Sequence, residues 1–273
     1  MRSSHSHRLL RLLCATLASV CALSFQALAQ QTPVAATSPA GSGGANNAPA
    51  GAKPKGPAPR LPNGKPDLSG VWVGGGPVED IKQGLMPGQE IVLLPDAEKL
   101  MKGRMAADDP EARCLPTGVP RVAPYPWRIL QTPSYGEPTH LFFLFEGNIH
   151  SYRQIFMDGR GHPDDLEASW YGHSIGHWEG DTLVIETVGF NDRFWFDFVG
   201  HPHTEQLHTV ERYTRRDLGT LLEEVTIEDP GAYTRPFTIS ASHQLLPGDE
   251  LMEYICQENQ RDTQHLIGPA GRP

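Results

Sequence analysis

From about residue 66 onward the chain is a succession of short apolar runs, most of them alternating with polar residues, and each is closed by a turn signal. That period of two is the signature of half-buried strands. "PDLSGVWVGG" opens the series as a short strand that buries Trp72, and "WRILQT" is a second strand. Four hairpins follow. "HLFFLFE" and "IHSYRQIFM" flank Glu146-Gly147-Asn148, and "YGHSIGHW" and "TLVIETVGF" flank Glu179-Gly180-Asp181. "LHTVERYTRR" and "TLLEEVTIED" flank Asp217-Leu218-Gly219, and "RPFTISASHQLL" and "ELMEYICQEN" flank Pro247-Gly248-Asp249. Each join is a tight-turn sequence between two strand-like runs. One helix interrupts the pattern. Pro95-Asp96 starts it, Asp96 suits the positive end of the helix dipole, and Leu100, Met101 and Met105 are its expected anchors. Strands with regular turns, one N-terminal helix and no strand–helix alternation predict an all-β fold, an antiparallel meander closed into a barrel.

The first 65 residues break this pattern. Residues 1–29 read as an export signal, with Arg2, Arg8 and Arg11 ahead of an apolar run and the small residues Ala27 and Ala29 at the cleavage point. Residues 30–65 are Ala, Pro, Gly, Ser and Asn with few large apolar side chains, so they read as a disordered linker. The barrel domain is expected over 66–267, long enough for one well-buried core. Export decides the cysteine chemistry. Cys14 and Cys21 leave with the signal, and Cys114 and Cys256 remain in an oxidising compartment, where an isolated pair bridges. The expected location is periplasmic or extracellular. Charge points the same way: the chain carries −9, and losing the three signal arginines takes it to −9 − 3 = −12. An acidic protein repels phosphate backbones, so nucleic acid is not an expected partner. No later segment is apolar enough to cross a membrane.

"GHSIG" (Gly172 to Gly176) fits the G-x-S-x-G pattern of esterase nucleophiles. Its surroundings do not fit. The polar "HPDDLEASWYGH" precedes it where a buried strand is needed, and a hairpin follows where a helix is needed. The preferred reading places Ser174, Gly176 and Trp178 on one strand face, with small residues allowing close packing. Four phrases, "RQIFMDGRGHP", "WYGHSIGHWEGDTLVIETVGFND", "HPHTEQLHTVERY" and "TIEDPGAYTRPFT", together with the opening "PDLSGVW", resemble a group of secreted bacterial proteins, mostly without assigned function. The resemblance implies an all-β exported domain. His173 and His177 fall at positions that vary in that group, so the resemblance does not single them out as ligands. Ser69 to Trp72 also looks like the Gly-x-Trp that opens the first strand of lipocalins, which implies a lipocalin-like barrel.

Three clusters carry candidate chemistry. In "HPHTEQLHTVE", His201, His203, Glu205, His208 and Glu211 combine imidazoles with carboxylates, the donors that zinc and similar divalent transition metals prefer. His203, Glu205 and His208 are the expected metal ligands or acid–base groups. In "MDGRGHPDD", a tight loop brings Asp158, Arg160, His162, Asp164 and Asp165 together, and His162 completes the site if the loop reaches His203. In "GFNDRFWFDF", Phe194, Phe196 and Phe198 share one face if extended. Trp195 and Asp197 then lie on the other, beside Asn191, a mix suited to a pocket mouth. Arg153 is expected to point inward, paired with Asp197 or Glu186 or binding a ligand carboxylate. The function that follows is binding of a small organic ligand in an internal cavity. The alternative is an enzyme (hydrolase, isomerase or lyase) that uses the same cavity through His203, Glu205 and His208. A serine esterase through Ser174 ranks below both.

Overall fold

The computed structural model describes residues 53–121, 125–131, 139–147, 151–258 and 265–271. The export signal and most of the linker lie outside the described residues. Nine strands form one closed barrel in sequence order. They are β1 (Gly70–Val73), β2 (Trp127–Gln131), β3 (His140–Phe145), β4 (Ser151–Phe156), β5 (His173–Glu179), β6 (Thr182–Val188), β7 (His208–Asp217), β8 (Thr220–Glu228) and β9 (Phe237–Leu245). The barrel closes where Trp72 of β1 lies opposite Leu245 of β9.

The ring departs from a pure meander at one place, because β4 and β5 run parallel, with Ile155 opposite Ser174. Parity explains it. Each antiparallel junction reverses direction, so a ring of nine strands cannot be antiparallel at all nine junctions. The parallel junction falls where the chain has length to return, across the loop that contains "MDGRGHPDD". The hairpins β3–β4, β5–β6 and β7–β8 form as expected. The fourth does not: "ELMEYICQEN" has no strand among its described residues, and β9 pairs with β1 and β8 instead. Closure leaves no sheet edge for another strand. That segment carries Cys256 to Cys114, and the expected disulfide forms across a separation of 142 residues.

The helix is α1 (Pro95–Gly103), with proline in its first turn. Of its expected anchors Leu100 and Met105 are exposed and Met101 is half-buried, and Ala97 is its buried residue. Small Ala97 lets the helix lie close to the cap of the barrel. Inside the barrel, one apolar cluster gathers Trp72, Trp127, Ile129, Leu141, Phe143 and Ile155. Arg215 lies over the Trp72 ring at 4.9 Å and donates to the Leu218 carbonyl. A second cluster, with Ile81, Val119, Phe190, Phe194, Phe196, Tyr233 and Phe237, joins the upper barrel to the segments that cover it.

Candidate functional site in the barrel interior

A belt of polar side chains is buried inside the barrel, drawn from the six consecutive strands β4 to β9, with Glu211 and Tyr213 both on β7. Arg153 of β4 is central. Its Nη1 donates to Glu211 Oε1 at 2.8 Å, and its Nη2 donates to Glu211 Oε2. Nε donates to Ser174 Oγ at 2.9 Å, and Nη2 also donates to Thr187 Oγ1 at 2.6 Å. Burial works against the Arg153 charge, and the Glu211 carboxylate outweighs it, so the guanidinium pKa ends above its usual value. The expected partners Asp197 and Glu186 are therefore replaced by Glu211. A ligand carboxylate is not needed either, because Glu211 already fills the guanidinium fork.

The belt continues through Tyr213, whose hydroxyl reaches Glu223 Oε1 at 2.6 Å and Glu211 Oε1 at 3.0 Å. Burial first, then the two carboxylates, push the Tyr213 pKa well above its ordinary value. Glu223 Oε2 meets His243 Nε2 at 2.8 Å, and His243 Nδ1 meets the Gly74 carbonyl at 2.6 Å. A carbonyl only accepts, so Nδ1 carries a proton. A second proton must lie between Nε2 and the Glu223 oxygen, and either group can hold it. The Glu223–His243 pair is neutral as a unit in both cases. Arg153 with Glu211 is neutral too, so the belt carries no net charge.

Trp127, Phe143 and Phe145 stand against the belt, and Val119 and Pro120 cover it. Together with Arg153, Glu211, Tyr213 and Glu223 they line a cavity of about 10 Å³, room for one water molecule. The Trp127 indole N–H is buried and has no hydrogen-bond partner among the described residues.

Ser174 is fully buried in mid-strand, and its oxygen accepts from Arg153 and Thr187 (3.0 Å). Neither partner is a base, and no helix follows, so the esterase arrangement is not formed. Its close-packing role is observed at Gly176, where an added Cβ would stand 2.6 Å from Met157 Sδ and 2.9 Å from Ile155 Cγ2.

The metal trio is not assembled. Among the described residues, Asp80, Asp197 and His201 form the one group of three potential donors within 4.8 Å of one another. His203 is buried against Phe194, with ring centres 3.8 Å apart, and burial lowers its pKa to about 4. Glu205 lies in an exposed turn. His208 points outward from β7, with Nε2 3.0 Å from Glu186 Oε1. Alternation along β7 explains the split, because His208 and the buried Thr209 take opposite faces. His162 does not reach His203; its Nδ1 lies 2.8 Å from His173 Nδ1.

The aromatic segment is not a strand, so its expected two faces do not exist. Phe194, Trp195, Phe196 and Asp197 are all buried, while Phe198 is exposed. Trp195 carries the Arg104 guanidinium over its ring at 4.6 Å, beside an open groove with Asp96, Lys99 and Asp108. Asn191 holds the next loop by accepting from the Arg193 N–H. Asp197 Oδ1 accepts from Gly200 N and His201 N, and its Oδ2 accepts from Ile81 N and His201 Nδ1.

Tyr213, Glu223 and His243 were not among the expected site residues. The signal was present: Leu221, Glu223, Val225 and Ile227 share a face of β8, and Phe237, Ile239, Ala241 and His243 share one of β9. An ionisable residue on an otherwise apolar face marks an interior polar site. Comparison with known protein families, with curated proteins and with solved structures finds no match for this chain.

Proposed function

We propose that this is an exported barrel that binds a small, uncharged organic molecule against the polar belt. The observation that carries the reading is the cavity lined by Trp127, Phe143, Phe145, Glu211, Tyr213 and Glu223. A barrel selected for stability alone would gain by filling this place with apolar side chains, because buried ion pairs rarely out-stabilise them. The belt's own charges are balanced, so a charged guest would remain unpaired in a low-dielectric interior. The Trp127 N–H offers a donor and the carboxyl groups offer acceptors, which suits an alcohol, a phenol or an amide with an apolar body. The cavity as it stands holds one water, so a larger guest requires the lining residues Val119 and Pro120 to move. Export is supported by the basic, apolar start of the chain and by the Cys114–Cys256 disulfide. Among the described residues no helix is long and apolar enough to cross a membrane.

The test is thermal unfolding and tryptophan fluorescence against a panel of small alcohols, phenols and amides. Binding raises the melting temperature, and Trp127→Phe removes the effect. No shift across the panel, or a shift that survives Trp127→Phe, rejects the reading.

A second reading, acid–base catalysis in the same cavity, is favoured by the hydrogen bond between Glu223 and His243 at the cavity wall. Gly74 fixes the His243 tautomer, so this pair suits proton transfer to or from a bound molecule. In this reading Glu223 and His243 take the roles first expected of His203, Glu205 and His208. Turnover that disappears in both Glu223→Gln and His243→Gln, while the guest still binds, supports catalysis. Turnover that survives both rejects it.

A further inference from the structure

The outer wall of the barrel carries a second group of histidines, away from the polar belt. His162 sits on the crossover loop between β4 and β5, and His173 opens β5. Their Nδ1 atoms lie 2.8 Å apart, with the rings edge to face at 73°. His173 is backed by Phe156, stacked at 4.9 Å, and Arg160 lies over the other ring of that stack at 4.0 Å. The Arg160 charge reaches His173 and is itself paired with Asp158. His208 and Glu186 lie 3.0 Å from each other and both act electrostatically on His162, although their donor atoms do not close within 4.8 Å of both rings. Glu228 lies 3.6 Å from His208 on the far side.

One Nδ1 must donate to the other, so at most one proton lies between the rings. His162 Nε2 has no hydrogen-bond partner among the described residues, so the polar contact of this ring is the one that Nδ1 makes to His173.

We propose that His162 and His173 bind a divalent transition metal of the zinc, copper or nickel type on the barrel wall, with His208 and Glu186 as the nearest further donors. Neutral imidazole nitrogen is the donor these metals select, and calcium and magnesium do not. Two nitrogens at about 2.0–2.1 Å from a tetrahedral zinc stand about 3.3 Å apart, so the rings need open by only about half an ångström. On binding, each ring gives its Nδ1 lone pair. The proton shared between them moves to an Nε2, so the pair need release none.

The site differs from the trio His203, Glu205 and His208, and it does not depend on the reading of the barrel interior. Isothermal titration of the full chain with zinc chloride and cobalt chloride at pH 7.5 tests it. The full chain is expected to bind one equivalent more than either His162→Gln or His173→Gln. The difference is read, so that His5 and His7 contribute equally to all three. Cobalt should give the absorption of a low-coordinate nitrogen-bound ion, and this signal should be lost in both variants. His203→Gln should leave binding unchanged. If a variant misfolds, zinc protection of His162 and His173 from acylation in the unmodified chain, read by mass spectrometry, replaces it. Equal stoichiometry in all chains, or no protection, overturns the proposal.

Discussion

Two histidine–carboxylate pairs are buried among the described residues, and they differ in what surrounds the carboxylate. In the cap, Asp197 takes His201 Nδ1 at 2.5 Å and three backbone N–H groups as well. In the barrel, Glu223 takes only side chains, Tyr213 and His243, beside a cavity. The first pair ties together two loops, 80–81 and 197–201, while His201 Nε2 stays buried without a partner among the described residues. Burial opposes the Asp197 charge, and its His201 and backbone donors outweigh it, so its pKa lies below the usual carboxylate value. The second pair joins two strands, with His243 Nε2 2.8 Å from Glu223 Oε2. Similar side-chain chemistry thus builds a backbone clamp in one place and a pair held by side chains beside a cavity in the other.

The largest expected effect comes from breaking the clamp. Asp197→Ala strands four donors and should cost about 3–5 kcal/mol, read from the urea midpoint. Arg153→Met should cost about as much, because it leaves Glu211 buried and unpaired, and the double variant Arg153→Met/Glu211→Leu should recover most of the loss. A double variant as unstable as the single would show that the belt is held by more than its ion pair.

Cys114→Ser/Cys256→Ser should cost about 2–4 kcal/mol, since it frees a long loop in the unfolded chain. Protection of Val119 amides from hydrogen exchange should fall with it, because the bridge holds the segment that covers the cavity.

The pH dependence concerns the cap again. The His203 pKa falls from 6.5 to about 4 on folding. The unfolded chain takes up the proton first, so stability is complete above about pH 6.5 and declines as the pH drops toward 4. The decline is on the order of 3 kcal/mol. His203→Leu should flatten unfolding curves in that window. The loss tied to Asp197 begins only lower, as pH falls through its depressed pKa. The smallest expected effect is Glu223→Gln, which keeps size and hydrogen bonding and should cost no more than about 1 kcal/mol. A cost equal to that of Asp197→Ala would erase the distinction between the two pairs.

The fold was legible where the signal is local. Alternation marked the strands, Gly180 and its neighbours marked a hairpin, and Ser174 with Gly176 marked a face that packs closely. The candidate site was legible only in fragments. Arg153 was recognisable as an inward charge, but its partner Glu211 lies 58 residues away. His203, Glu205 and His208 are close in sequence and part company in space, because a turn and the start of a strand send them to the cap, to solvent and to the outer wall. Sequence neighbours look like a site on paper, whereas a barrel assembles its interior from alternate residues of strands that are far apart along the chain.

The sequence by itself determined the all-β class, the single helix and the pairing of the two later cysteines, because strand period, turn residues and redox compartment act locally or by simple count. Only the tertiary structure decided the parallel junction, the end of the strands at β9 and the joining of Arg153, Glu211, Tyr213, Glu223 and His243. Those depend on closing a ring. Closure sets which strands are neighbours, leaves no edge for a tenth, and turns one face of every strand toward the same small interior.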